Sequence, residues 1–209
     1  RKLITIILVL VSFSVSFAQE IDGNKLLKHL EYLSSDGLEG RKPLSKGSNL
    51  AQKYILQELT TLDLVAPLYP DFIQKFSFEN RRTKKMLVDA ANIVVFIPGK
   101  SSKKVIVVTA HYDHVGIGRP NAAGDSIYNG TDDNASGTAA LLVLADYFSK
   151  NRPQHGMLFA ALDAEEMGLQ GAKALVNDFP YPLEQILLNV NMDMLSRSEA
   201  KEVFVSGTH

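Results

Sequence analysis

Val105–Gly137 reads VIVVTAHYDHVGIGRPNAAGDSIYNGTDDNASG, and its change of character along the way decides the fold. Val105 to Ala110 are nearly all apolar and β-branched, with Ser101-Ser102-Lys103-Lys104 before them and polar residues after. That pattern predicts a strand buried on both faces of a sheet, which belongs to an α/β core. At its carboxyl end stand His111, Tyr112, Asp113 and His114, where open α/β sheets bind ligands. Side chains alternate along extended chain, so His111 and Asp113 point the same way. Asp113 can then accept from the imidazole N–H that faces away from a ligand. By itself a His-x-Asp pair is more often a capped strand end followed by a loop acid than a metal site.

Asn129–Gly137 (NGTDDNASG) is a turn that runs into an apolar, helix-like stretch, Thr138 to Phe148. Carboxylates at a helix N-terminus lie near backbone N–H groups and the positive end of the dipole, which keeps them ionised and fit to bind a cation.

Working outward, Asp22-Gly23-Asn24 can cap a helix carrying Leu26, Leu27, Leu30 and Leu33 on one face. Ser34 to Pro43 breaks it with turn formers. A packing helix follows Ser45-Lys46-Gly47, with Leu50, Tyr54, Ile55, Leu59 and Leu62 at helical spacing. Phe72 to Phe78 alternates as a half-wet strand does. Leu87 to Ile97 stops at Pro98-Gly99-Lys100, and with the strand that starts near Lys103 it is expected to form an antiparallel hairpin. Met157 to Leu162 is a second fully apolar strand, ending in Asp163-Ala164-Glu165-Glu166. A short helix over Leu169–Val176 precedes an apolar run, Gln185 to Met192, that ends in Asp193. Val203 to Val205 reads as one more strand. Three times a buried strand delivers acids or a histidine at its carboxyl end.

The chain has 209 residues, no Cys and no Trp, with 45% hydrophobic residues and a net charge of −1, as suits a single globular α/β domain. Arg1-Lys2 followed by LITIILVLVSFSVSFA has the form of a secretory signal, residues 1–18, cut before Gln19. The apolar run is shorter than the roughly 20 residues of a spanning helix, so no stable membrane anchor is expected after cleavage. A secreted or periplasmic location follows. Loss of Arg1 and Lys2, with no acid, moves the net charge from −1 to −3 and leaves no basic stripe for nucleic acid.

HYDH at 111–114, NGTDDNASG at 129–137, DAEEMGLQGA at 163–172 and NMDM at 191–194 together resemble, in order and spacing, the zinc aminopeptidases of the bacterial leucyl aminopeptidase, aminopeptidase Y and glutamate carboxypeptidase type. The segment LSSDGLEGRKPLSKGSNLAQKYI is similar to the lead-in of exported bacterial members. The resemblance implies a zinc-exopeptidase-like (phosphorylase/hydrolase-like) fold, a mixed, mostly parallel central sheet flanked by helices, with residues 19–209 as the N-terminal portion of one catalytic domain. It also implies a peptide substrate and two zinc ions in the complete enzyme. His111 and Asp193 would each bind one zinc, Asp133 would bridge both, and Glu166 would bind the second. Glu165 would be general base to the water between the ions, and Asp113 would orient His111. A cis peptide at Asp133-Asn134 is a further family trait.

Glu165-Glu166 also reads as an acidic pair at a helix start. Asp132 is a loop acid, His114 belongs behind the ligands or on the substrate side, and His29 and His155 sit in surface-like contexts. The family's second zinc takes another histidine far beyond Asp193, whereas the sequence ends at His209, 16 residues later. His209 is not taken for that ligand. The chain is thus expected to be incomplete at its C-terminus. The His111 site has three protein ligands and the Glu166 site two, Glu166 and the shared Asp133. One tight zinc and little peptidase activity are therefore expected. A glutaminyl cyclase type with one zinc and a receptor-like, non-catalytic relative share the scaffold. The NGTDDNASG loop looks more like the two-zinc peptidases, and a receptor-like relative should have lost ligands that are all present here.

Overall fold

The computed structural model describes residues 21–200, 202 and 204–207. The leader assigned to residues 1–18, its cut before Gln19, and His209 lie outside them. In chain order the elements are α1 (Gly23–Leu33), α2 (Lys46–Thr60), β1 (Ala66–Pro67), β2 (Ile73–Glu79), β3 (Met86–Ile97), β4 (Val105–His111), β5 (Gly116–Ile117), β6 (Ile127–Tyr128), α3 (Gly137–Lys150), β7 (Gly156–Leu162), α4 (Gln170–Asn177) and β8 (Ile186–Asn191). The first two helices start where side chains can satisfy free N–H groups: Asp22 accepts from Asn24 and Lys25, and Ser45 from Ser48.

One six-stranded mixed sheet runs β1-β3-β7-β4-β8, with β2 also paired to β3. Strands β7, β4 and β8 are parallel, whereas β1, β2 and β7 pair with β3 antiparallel. Alternation sorts the apolar residues to two faces. Ile93, Val95, Val108, Ala110, Phe159 and Ala161 pack with Leu33, Ile55, Leu59 and Leu141, so α1, α2 and α3 cover one face. Val94, Val105, Val107, Leu158 and Ala160 pack with Leu175 of α4 on the other. Among the described residues no helix is long and apolar enough to cross a membrane.

Two expectations are corrected. First, β3 and β4 do not form a hairpin, because β7 lies between them, in register from Ile93↔Ala161 to Ile97↔Met157 on one side and from Val105↔Gly156 on the other. Crossing one strand means spanning about 10 Å. The connection from Pro98 to Lys104 reaches that far and is pinned to the entrance of β7. Lys100 donates its N–H to the Pro153 carbonyl at 2.9 Å, and the Arg152 guanidinium donates to the carbonyls of Pro98 and Gly99 at 3.0 and 2.9 Å. A Cβ at Gly99 would lie 2.5 Å from the backbone of His155 and Gly156, so only glycine lets the two segments touch. The hairpin that does form joins β2 to β3. Second, no strand forms among the described residues of 202–207, where Phe204 and Val205 are exposed and no sheet partner adjoins them.

His29 also departs from its expected surface setting. It is buried between α1 and α2, its Nδ1 2.7 Å from the Tyr54 hydroxyl, and burial lowers its pKa.

Candidate metal centre

The three parallel strands end within two residues of one another, which brings distant parts of the sequence to one edge. His111 is opposite Leu162 in the β4–β7 register, and Thr109 is opposite Asn191 in β4–β8. The ladder continues past the strands, with Tyr112 N–H donating to Leu162 at 2.9 Å and Met192 N–H to Thr109 at 2.8 Å. The segments 111–114, 163–166 and 192–194 therefore leave the sheet together. The fourth acidic segment, 131–136, is a wide turn in front of α3, whose own first turn is held to β4 by a 2.8 Å hydrogen bond from the Thr138 hydroxyl to the His111 carbonyl.

His111 is buried, and among the described residues its Nε2 has no hydrogen-bond partner. That nitrogen lies 3.2 Å from Asp133 Oδ1 and 3.4 Å from Asp193 Oδ1. Donor atoms about 2.0–2.1 Å from a tetrahedral zinc lie about 3.3–3.4 Å apart, so both carboxylate oxygens stand from Nε2 at the spacing of two ligands of one ion. On the other side of Asp133, its Oδ2 is 3.9 Å from His114 Nδ1, which is 2.8 Å from Glu166 Oε1. His111, Asp133 and Asp193 form one group able to hold a cation, and His114, Asp133 and Glu166 form another. Asp133 gives one oxygen to each.

Asp113 is fully buried and sits behind this edge. Its Oδ1 is 3.5 Å from His111 Nδ1, its main-chain oxygen 3.2 Å from the same nitrogen, and its carboxylate accepts the N–H groups of Glu165 and Glu166. Burial disfavours charge on His111, but Asp113, Asp193 and Glu165 outweigh it and raise the pKa to about 9. Burial also raises the pKa of Glu165, against the pull of His111 and with help from Asp113, Glu166 and Asp193. Glu165, His111 and Asp193 line a cavity of about 320 Å³ whose far wall is apolar, including Leu162, Leu169, Leu175 and Phe179. Glu165 and Glu166 do not start a helix, since α4 begins at Gln170 with no acid in its first turn.

All six residues singled out in the sequence, His111, Asp113, Asp133, Glu165, Glu166 and Asp193, converge at this edge. The Asp133-Asn134 peptide is cis. Three further residues hold the edge together. Asn134 donates to the Met192 carbonyl at 2.9 Å and accepts from the N–H groups of Gly137 at 2.9 Å and Met194 at 3.2 Å, so it straps the Asp193 segment to the Asp133 turn. Asp132, the loop acid, accepts from the N–H and hydroxyl of Ser196. Arg41 is buried and donates to the carbonyls of Leu33, Tyr112, Asn129 and Gly130, binding the exit of β4 to the turn before Asp133. Burial lowers the Arg41 pKa to about 10, opposed by the charges of Asp113 and Asp133.

A mixed α/β scaffold thus carries a cluster of imidazole and carboxylate donors at the ends of its parallel strands, where a divalent cation could be held. Residues 92–209 match peptidase family M28, and the chain belongs to that family. A vacuolar membrane protease of Schizosaccharomyces pombe is 29% identical over 185 residues, 83% of this chain and 21% of that protein. A probable zinc metalloprotease of Pyrenophora tritici-repentis is 30% identical over 116 residues, 55% of this chain and 26% of that protein. Among solved structures, a glutaminyl cyclase and a leucine aminopeptidase precursor, both of Bacteroides thetaiotaomicron, share the fold with TM-scores of 0.66 and 0.65 and identities of 19% and 18%. A Zn-dependent exopeptidase of Parabacteroides distasonis does so with a TM-score of 0.66 and 16% identity. Each covers 84% of this chain, which in turn spans 62–63% of those chains and about a quarter or less of the two curated relatives.

Proposed function

We propose that this chain carries the metal-binding part of a secreted or periplasmic zinc exopeptidase that removes the N-terminal residue of a peptide. The observation that supports this most is the division of Asp133, whose Oδ1 faces His111 and Asp193 while its Oδ2 faces His114 and Glu166. A carboxylate shared in this way is the central feature of a site that clamps two cations, and such sites serve hydrolysis. His111, Asp133 and Asp193 hold zinc, with the three protein ligands usual at a catalytic site. Zinc bound there supplies Lewis acidity and lowers the pKa of neighbouring water towards ~7.

The protein's own residues do the rest. Asp113 fixes the His111 ring from behind, and through the N–H groups of Glu165 and Glu166 it also fixes the turn that carries both glutamates. Glu165, with its raised pKa, takes a proton from the attacking water as the new C–O bond forms. It returns that proton to the amine as the peptide C–N bond breaks. The apolar wall of the cavity, with Leu162, Leu169, Leu175 and Phe179, would take an apolar side chain of the substrate beside these groups.

The test is release of nitroaniline from aminoacyl-nitroanilides, with and without chelator. Chelator-sensitive release that zinc restores supports the reading. Absence of such release, with ammonia freed from a glutaminyl peptide instead, would replace it with cyclase activity.

A further inference from the structure

Counted from the strand ends alone, the Glu166 side of Asp133 has two protein donors. The structure adds a third. His114 leaves β4 three residues after His111, and its N–H donates to the Arg41 carbonyl at 3.3 Å. Its ring lies on Gly130, a glycine with φ of +58°, where a Cβ would stand 2.6 Å from both Cγ and Cδ2 of the ring. The ring is therefore wedged in one place, and only a residue without a side chain lets it sit there.

That placement aims Nδ1 at two carboxylates, Glu166 Oε1 at 2.8 Å and Asp133 Oδ2 at 3.9 Å. The nitrogen is buried, yet among the described residues it lacks a hydrogen-bond partner with acceptable geometry, Glu166 included. A buried ring nitrogen without a partner needs an explanation. A His–Glu ion pair would place a proton on the line between the two atoms, and that alignment is missing. A cation to one side of that line satisfies both atoms, and the 2.8 and 3.9 Å separations bracket the edge of about 3.3 Å expected around a tetrahedral ion. The same orphaned state marks His111 Nε2. Each histidine thus meets one oxygen of Asp133 and one further carboxylate, Asp193 or Glu166.

We infer that His114 is a direct ligand of a second divalent cation of the zinc type, held with Asp133 and Glu166. The inference rests on the metal-centre reading above and deepens it. Both halves of the centre then carry the same donor set, one imidazole and two carboxylates with Asp133 in common, and the second half reaches three protein ligands rather than two.

Zinc titration of the chelator-stripped protein, followed by calorimetry, tests this. The protein is expected to take up two equivalents. His114→Ala should weaken the second at least tenfold and leave the first nearly unchanged, and His111→Ala should do the reverse. X-ray absorption at the zinc edge gives a readout that needs no variant, and one imidazole per zinc at two-zinc loading is expected. Retention of both equivalents at unchanged affinity by a folded His114→Ala, or one imidazole per two zincs, would overturn the inference and leave the His111 site standing. Uptake of a single equivalent that His114→Ala retains would do the same. Failure of the unsubstituted protein to bind any zinc would instead remove the metal-centre reading itself.

Discussion

The backbone N–H of Glu165 donates to Oδ1 of Asp113 at 2.9 Å, across 52 residues of sequence, and the N–H of Glu166 donates to Oδ2 at 3.2 Å. The same carboxylate lies 3.5 Å from the His111 ring. One buried acid therefore sets both the imidazole and the turn bearing the two glutamates. Asp113→Asn keeps the size but exchanges one acceptor for a donor, so one of the two N–H groups loses its partner at a cost of about 1–3 kcal/mol. Zinc affinity at the His111 site is expected to fall roughly 10–100-fold. Titration calorimetry and urea unfolding of the variant check the two effects separately.

The charge on His111 gives the metal-free protein a pH dependence of definite sign. Its pKa is raised in the fold from the ordinary 6.5 to about 9, so its contribution to stability is complete below pH 6.5 and is lost as pH rises through about 9. Asp163 acts in the same direction at lower pH. Burial and the charge of Asp113 push it from 3.8 to about 7, against the N–H groups of Ala91 and Ala164, so its contribution fades between those values. Chelator-treated protein is expected to melt lower at pH 9 than at pH 6.5, by a loss on the order of 1–3 kcal/mol, or roughly 3–10 °C. Zinc replaces the proton on His111 and should shrink that difference. Thermal unfolding followed by circular dichroism at both pH values is the measurement, and a flat profile without zinc would contradict the assignment.

Arg41 reaches four carbonyls from three separate segments while nearly sealed from water. Arg41→Ala strands those carbonyls, and Arg41→Lys offers a point charge where a planar fork is needed. Both are expected to destabilise the protein, the alanine variant by on the order of 3 kcal/mol or more. Zinc affinity should fall with stability, because the turn before Asp133 and the exit of β4 lose their common anchor. Urea unfolding of the two variants beside the unsubstituted protein tests the order.

His111, Glu165, Glu166 and Asp193 were legible in the sequence because each stands where an apolar run stops, and Asp133 because it stands in a polar turn where one begins. A run such as Val105 to Ala110 has no way to be anything but buried. Strand order was less legible. Seven residues from Pro98 to Lys104 look like a hairpin loop, and only the backbone contacts of Gly99 with His155 and Gly156 reveal that the loop steps over β7. Arg41 was hidden for a different reason: in LEGRKP it resembles any arginine in a polar turn, and its value lies wholly in carbonyls supplied by Leu33, Tyr112, Asn129 and Gly130. Asn134 reads as a turn residue for the same reason. His114, adjacent to a motif, gave no signal of which carboxylates it would face, since that depends on the left-handed turn at Gly130.

Glu165 and Glu166 are neighbours whose side chains are assigned different work, and conservative variants separate them. Glu166 lies 2.8 Å from His114 Nδ1 and belongs to a group able to hold a cation, whereas Glu165 lines the cavity with His111 and Asp193 and carries a raised pKa. Glu165→Gln removes a proton acceptor but no ligand. It should lower kcat by about 10²–10⁴-fold with zinc stoichiometry intact. Glu166→Gln should instead weaken one equivalent of zinc, and added zinc should recover part of its activity. Steady-state cleavage of an aminoacyl-nitroanilide at rising zinc concentrations distinguishes them, since only the Glu166 variant is expected to respond. If zinc rescued Glu165→Gln as well, Glu165 would be acting through the cation and could not be the base.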